Sequence, residues 1–131
     1  CLQGECRMQL GDLVGAQGVL QRALLLAEES GYERIAETTR ARLAYADGLV
    51  GGDTLARQRV AELSRVVAWA QQRRYLWDEL GARYWLGMLH LGRGDYADAK
   101  DELTRARGLA QHISLASMIE DCERGLRRIA R

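Results

Sequence analysis

The chain is expected to fold as an all-α array of antiparallel helix hairpins, and three observations carry that expectation. The first is a repeated phrase. Leu10-Gly11-Asp12-Leu13-Val14-Gly15-Ala16, followed by Leu20 and Ala23, returns as Arg93-Gly94-Asp95-Tyr96-Ala97-Asp98-Ala99, followed by Leu103 and Ala106. Each copy reads as a turn opening a helix. The second is a small residue before each turn, Gly4 before Gly11 and Gly87 before Gly94, which gives the preceding helices a shared pattern. The third is composition: the 131 residues contain no Pro, are rich in Ala, Leu, Arg, Glu and Gln, and carry β-branched residues only in short clusters, all of which favours helix over sheet. Units of this kind stack to bury faces that one unit cannot bury alone, so a curved helical array built for contact with other molecules is expected.

Seven helices are expected, over residues 1–10, 12–30, 32–50, 53–73, 75–92, 95–112 and 114–130. The connections are short and carry Gly or Asp, as antiparallel neighbours require. Asp12, Asp53 and Asp95 are placed to cap the helices that follow them, and Ser114 or Ser117 to cap the final one. In the second helix Leu13, Ala16, Val19, Leu20, Ala23 and Leu24 recur at three and four spacing, as do Tyr96, Ala99, Leu103, Ala106 and Ala110 in the sixth, and both stripes are expected in the core. On the fifth, Trp77, Leu80, Tyr84 and Leu91 share a face with Trp85 and Met88 beside it. Leu115, Met118, Ile119, Leu126 and Ile129 give the last helix its own apolar stripe. The small residues Gly4, Ala16 and Ala23, matched by Gly87, Ala99 and Ala106, let paired helices approach closely at their crossings.

A weaker third copy lies between the two, in Leu49-Val50-Gly51-Gly52-Asp53 with Leu63 and Val66 downstream. The ends of the second helices anchor all three units, at Ala27-Glu28, Ala70-Gln71 and Ala110-Gln111, so the alanines stand 43 and then 40 residues apart. In the middle unit Arg59 falls where Ala16 and Ala99 stand, and Gly51-Gly52 reads as a one-residue insertion. That unit is expected to pack loosely or to have drifted for a reason.

With 19 basic and 18 acidic residues the net charge is +1, so no global field draws the chain to nucleic acid or to an anionic membrane. No apolar run approaches bilayer length and no leader opens the chain, which reads as a soluble domain of cytoplasmic type. It begins at Cys1, already inside the first unit, and reads as a single repeat domain over 1–131 taken from a longer protein. Three cysteines cannot all pair within one chain. Cys1, Cys6 and Cys122 read as reduced core thiols, and with His90 and His112 far apart no metal site is expected. No cofactor is implied.

Catalysis finds no support. Asp78 and Glu79, like Glu28 and Glu29, are sequence neighbours that point to different sides of a helix, and they read as solvated charge. Gly92-Arg93-Gly94-Asp95 reads as a repeat turn. The arginines of the fourth helix (Arg57, Arg59, Arg65, Arg73 and Arg74) and of the last (Arg124, Arg127, Arg128 and Arg131) are interleaved with Glu62, Asp121 and Glu123, so they read as solvated faces and direct nucleic-acid binding is not expected.

The small residue, Gly-Asp-aromatic turn, Ala, Leu and Ala, followed by Ala-Glu or Ala-Gln and a new helix, together resemble the tetratricopeptide repeat. The period exceeds the roughly 34 residues of the commonest such unit. That longer spacing, with Leu24-Leu25-Leu26-Ala27-Glu28-Glu29-Ser30-Gly31, is similar to the MalT-type superhelical region of large bacterial transcriptional activators. The resemblance implies a right-handed superhelix of three hairpins plus a final helix, serving as a sensor or scaffold segment in signalling or transcription. It also implies that the first helix of each unit lines a concave groove, which by position places Glu5, Gln9, Thr38, Arg42, Tyr45, Leu49, Tyr84, Met88 and Leu91 there. That mixture suits an amphipathic helix or extended peptide. The expected function is therefore a non-catalytic protein-interaction or scaffold domain, whose partner is a protein, a peptide or a neighbouring domain. The alternative is a sensor binding a small-molecule inducer in the groove. Open end helices would also allow self-association.

Overall fold

The computed structural model describes residues 13–130, and within them the chain forms six helices: α1 (Leu13–Glu29), α2 (Glu33–Val50), α3 (Asp53–Arg73), α4 (Leu76–Arg93), α5 (Tyr96–His112) and α6 (Ala116–Ala130). There is no strand among the described residues. The expected helix over 1–10, with Glu5, Gln9, Cys1, Cys6 and the cap at Asp12, lies outside them. Each helix packs against the next in sequence, and α2 also packs on α4, which in turn touches α6. The helices therefore form two layers, α2, α4 and α6 facing α1, α3 and α5. Neighbours within the first layer touch; those of the second are held apart by the first. Such an array curves toward the layer whose members are in contact.

One turn closes four of the helices. The amide of Tyr32 donates to the carbonyl of Ala27 while that of Gly31 donates to Glu28. The same pair of bonds runs from Tyr75 to Ala70 and Arg74 to Gln71, from Asp95 to His90 and Gly94 to Leu91, and from Leu115 to Ala110 and Ser114 to Gln111. This closure satisfies the last free carbonyls of a helix and requires one residue in the left-handed region. Those residues are Gly31, Arg74, Gly94 and Ser114, at φ of 73°, 57°, 81° and 57°. The Ala-Glu and Ala-Gln pairs that marked the repeat in the sequence are thus the acceptors of the turn between units. The turn between α2 and α3 differs: Gly51 and Gly52 are extended, at φ −81° and −73°, which is where the middle copy departs from the others.

The expected caps are not made by side chains. Gly52 precedes α3, and Asp53 is its first helical residue, carrying Arg57 and Arg93 on its carboxylate. Asp95 stands at the head of α5 without a capping bond, its carboxylate turned toward Arg93 and His90. Ser114 closes α5, and Ser117 lies inside α6. The negative charges still favour the positive helix ends.

Two clusters of buried side chains form the core. One joins α1 to α4 and includes Leu20, Leu63, Val66, Leu86 and Leu89; the other joins α4 to α6 through Leu80, Ala106, Ala110 and Cys122. Tyr84 packs against both. The α5 stripe is buried from Ala99 to Ala110, but Tyr96 is exposed. Helical side chains lean toward the N-terminus, so at the first position of α5 the ring leans off the end of the helix. In α1, Ala16 and Leu20 are buried and Ala23 is exposed, against expectation. Its counterpart Ala106 is covered from the α4 and α6 side, whereas among the described residues α1 packs chiefly on α2.

The middle unit is not loosely packed. Leu63 and Val66 are fully buried, and Arg59 is half-buried with its guanidinium 3.1 Å from Asp47 and 3.3 Å from Glu62. Asp47 also accepts from Gln17 at 2.6 Å, so one carboxylate of α2 ties together α1 and α3. Of the acids expected to be solvated, Glu28 and Glu29 are exposed, but Asp78 and Glu79 are buried. Asp78 takes both arms of Arg34 from α2 at 3.0 and 3.1 Å, and Glu79 holds Arg83 at 2.8 Å, which reaches Glu102 of α5 at 3.0 Å. Buried carboxylates persist only with such partners. Cys122 is a free, buried thiol, and burial pushes its pKa up to about 11, as for a core hydrophobe.

Close approach is set by missing side chains. A Cβ on Gly87 would stand 2.8 Å from Leu103 Cγ, and one on Gly125 2.9 Å from Leu103 Cδ1. Gly87→Leu should therefore lower the chemical denaturation midpoint by the equivalent of about 2 kcal/mol, the cost of overpacking, while Gly108→Ala, whose new Cβ meets nothing, should raise it. Arg74→Gly should raise stability by roughly 1 kcal/mol, because the left-handed conformation disfavours a Cβ; thermal unfolding of the variant checks this.

Candidate functional site

The inner layer carries a groove made of two adjoining depressions. The first, of about 220 Å³, is walled by Trp77, Leu80, Gly81, Tyr84 and Trp85 of α4, by Leu115, Met118 and Asp121 on the α6 side, and by Arg42 of α2. The second, of about 450 Å³, lies beside it and is walled by Tyr45, Tyr84, Met88, Asp121, Arg124, Gly125 and Arg128. Tyr84 and Asp121 belong to both, so the two form one continuous surface across α2, α4 and α6. The first depression is mainly aromatic and aliphatic. The second is ringed by hydroxyls and guanidiniums.

The repeat register explains the shared lining. Counting from the turn residues Tyr32, Tyr75 and Leu115, Tyr45 of α2 corresponds to Met88 of α4 and Arg128 of α6, and Thr38 to Gly81 and Asp121. Trp85 lies at the centre. Its ring is 5.0 Å from that of Tyr45 and 5.1 Å, edge-on, from that of Tyr84. Such offset and edge contacts are the favoured aromatic geometries and hold the two phenols apart over the groove floor. Burial raises the pKa of both tyrosines. For Tyr84 the neighbouring Asp121 adds to the effect, and for Tyr45 the positive charge of Arg128 opposes it.

Of the residues expected in the groove, Arg42, Tyr45, Tyr84 and Met88 line it. Thr38 does not: its hydroxyl donates back to the carbonyls of Arg34 and Ile35 at 3.0 and 3.1 Å, which keeps it on its own helix. Leu49 is half-buried in the first core cluster, and Leu91 is buried. Leu49 lies against Gly92 where α2 and α4 pack together, so packing consumes it. Glu5 and Gln9 lie outside the described residues. The aromatic strip of α4 divides between roles, with Trp77 58 % exposed, Tyr84 half-buried and Trp85 buried. The α6 wall, Asp121, Arg124, Gly125 and Arg128, went unread in the sequence as part of the groove. Extending the register from Tyr32 and Tyr75 to Leu115 would have found it.

A second aromatic cluster sits at the outer edge of the α2, α3 and α4 contact and is structural. Trp69 meets Tyr75 edge-on at 5.5 Å and donates its indole N–H to Glu33 at 3.0 Å, while the Arg34 guanidinium lies 3.9 Å above the Tyr75 ring. The α3 arginines are drawn into pairs: Arg57 with Asp53, Arg59 with Asp47 and Glu62, Arg65 with Glu37, and Arg73 over Trp69. They do not form an open basic stripe of the kind that follows a phosphate backbone.

Protein-family models, curated proteins and solved structures give no match to this chain. The site therefore rests on its own geometry. Among the described residues no group of His, Cys, Asp and Glu is placed to hold a metal ion, and no helix is long and apolar enough to cross a membrane. Asp78 and Glu79 do not converge: the first pairs with Arg34 of α2 and the second with Arg83 of its own helix, and neither lines the groove.

The two tyrosines make a pH signature. A phenol whose pKa is raised in the folded state holds its proton where the unfolded chain has lost it, so the stability it contributes is present below the ordinary tyrosine range and is lost as pH rises above about 10. Stability measured by urea titration should fall as pH is raised from 9 to 11, and Tyr84→Phe should flatten that slope. An unchanged slope in the variant would mean that the hydroxyl is solvated.

Proposed function

We propose that this chain is a non-catalytic protein-interaction domain of the tetratricopeptide type, acting within a bacterial transcriptional regulator or signalling protein in the cytoplasm. The observation that carries the proposal is the continuity of the groove. An aromatic pit and a polar hollow share Tyr84 and Asp121 and run across three helices, as a surface for an extended or helical segment would. The pit, at about 220 Å³, has room for one bulky side chain, and the hollow of about 450 Å³ that adjoins it extends the surface beyond that anchor. Trp77, exposed at its rim, supplies the rigid apolar area that anchors protein contacts.

The sensor alternative draws support from one feature, the convergence of Arg42 and Asp121 on an otherwise apolar pit. A thermal-shift screen separates the two. Amphipathic peptides are expected to raise the melting temperature saturably, because a ligand that binds only the folded state stabilises it by mass action, and Trp77→Ala is expected to abolish the shift. A saturable shift with a sugar, nucleotide or amino acid, and none with peptides, would replace the interaction reading with the sensor.

A further inference from the structure

The chemistry of the groove narrows the kind of peptide it can hold, an inference that rests on the interaction reading above. The polar groups around the larger hollow are the hydroxyls of Tyr45 and Tyr84, the guanidiniums of Arg124 and Arg128, and the single carboxylate of Asp121. Both phenols keep their protons because burial opposes ionisation, so each offers an O–H donor. Arg128 makes no ion pair among the described residues, and its charge acts on the Tyr45 ring. Arg124 is held by Asp121 and Glu120 at 3.3 and 3.4 Å, long exposed pairs of the kind that contribute little and exchange readily. Within the lining donors outnumber acceptors, with two guanidiniums to the one carboxylate of Asp121; Glu120, the second partner of Arg124, lies outside the hollow, and Arg128 is the charge left to a ligand.

The geometry points to a peptide that places an acidic side chain beside an apolar anchor. The carboxylate is held by Arg124 and Arg128 with the Tyr45 and Tyr84 hydroxyls, and the anchor fills the pit beneath Trp77. Charge complementarity selects the acid, since a guanidinium pairs best with a carboxylate in forked geometry. Because Tyr84 and Asp121 wall both depressions, the anchor and the acid are near neighbours in the peptide: one turn apart if it is helical, or alternate residues if it is extended.

The test selects a displayed random peptide library against the 131-residue protein, resynthesises the enriched peptides with each acid changed to its amide, and measures binding by fluorescence anisotropy. Enriched sequences are expected to pair Asp or Glu with Leu, Phe or Trp. Amidation, Arg128→Gln and Arg128→Glu should each weaken binding, the last by about tenfold, and added salt should weaken it further. Lys100→Glu is the control, because Lys100 flanks a separate cleft between α5 and α6, and binding should not change. Circular dichroism shows that each variant is folded before it is used. Peptides that need Trp77 but ignore both their own acids and Arg128 would overturn the acidic assignment and leave the groove reading standing. Equal losses from Lys100→Glu and Arg128→Glu would overturn it in favour of a diffuse field. An absence of any binder sensitive to Trp77→Ala would overturn both.

Discussion

Leu103 fills the space left by two missing side chains. It is fully buried in α5, with Gly87 of α4 on one side and Gly125 of α6 on the other, and a methyl group added to either glycine would run into it. That fit sets how closely α4 and α6 can each come to α5. It also shapes the groove, because Gly125 and Met88, which meet at the same crossing, wall the larger hollow on its inner side. Interiors pack at crystal-like density, so a change of one methylene behind the groove is transmitted to its front. The same device recurs between α2 and α4, where a Cβ on Gly48 would lie 2.8 Å from Leu89.

Apolar fit brings the helices together, and charge fixes which one meets which. Asp78 takes Arg34 across α4 and α2, Glu79 and Glu102 hold Arg83 across α4 and α5, and Asp47 joins Gln17 of α1 to Arg59 of α3. Burial opposes the charged form of Arg83, but the two carboxylates outweigh it and its pKa is raised. Such partly buried pairs contribute little net stability against an apolar substitute. Breaking one side is costly, however, because the other charge is left stranded. They therefore act chiefly on register. A hairpin shifted by one turn would leave Asp78 buried without a cation and would part Arg83 from Glu102.

Most of the fold was legible in the sequence because the repeat is written in backbone requirements. Gly31 and Gly94 mark positions that need a left-handed residue, and Ala27, Ala70 and Ala110 mark the last turn of the helices before the junctions. Arg74 and Ser114 occupy the same conformation without the glycine signal, so Ser114 was read as the start of a helix when it ends one. Capping by Asp53 and Asp95 failed for a different reason: Arg93 draws on both carboxylates and Arg57 takes Asp53 as well, and for Asp53 spacing along the chain does not reveal Arg93, a competitor from another helix. The same holds for Asp78, whose partner Arg34 is distant in sequence; Glu79 pairs with Arg83 only one turn away, and it is the second carboxylate on that arginine, Glu102, that comes from a distant helix. In the groove, register alone located Tyr45, Tyr84 and Met88. It misplaced Leu49, which packing between α2 and α4 consumes, and Leu91, which is buried, and it reached Asp121 and Arg128 only once α6 is counted as a further inner helix.

A surface assembled this way is rigid behind and varied in front. The glycines, alanines and leucines of the crossings hold three inner helices at fixed separations, and the side chains that face outward are free to differ from unit to unit, as Tyr45, Met88 and Arg128 do at one register position. Specificity is then a matter of which side chains the repeat presents, with the scaffold unchanged. All of this depends on the wedge. The most direct measurement is a nuclear Overhauser spectrum of the protein with its leucine methyls assigned. Cross-peaks from the δ-methyls of Leu103 to the α-protons of both Gly87 and Gly125 are predicted, and a cross-peak to only one of them, or to neither, would contradict the packing on which the groove is built.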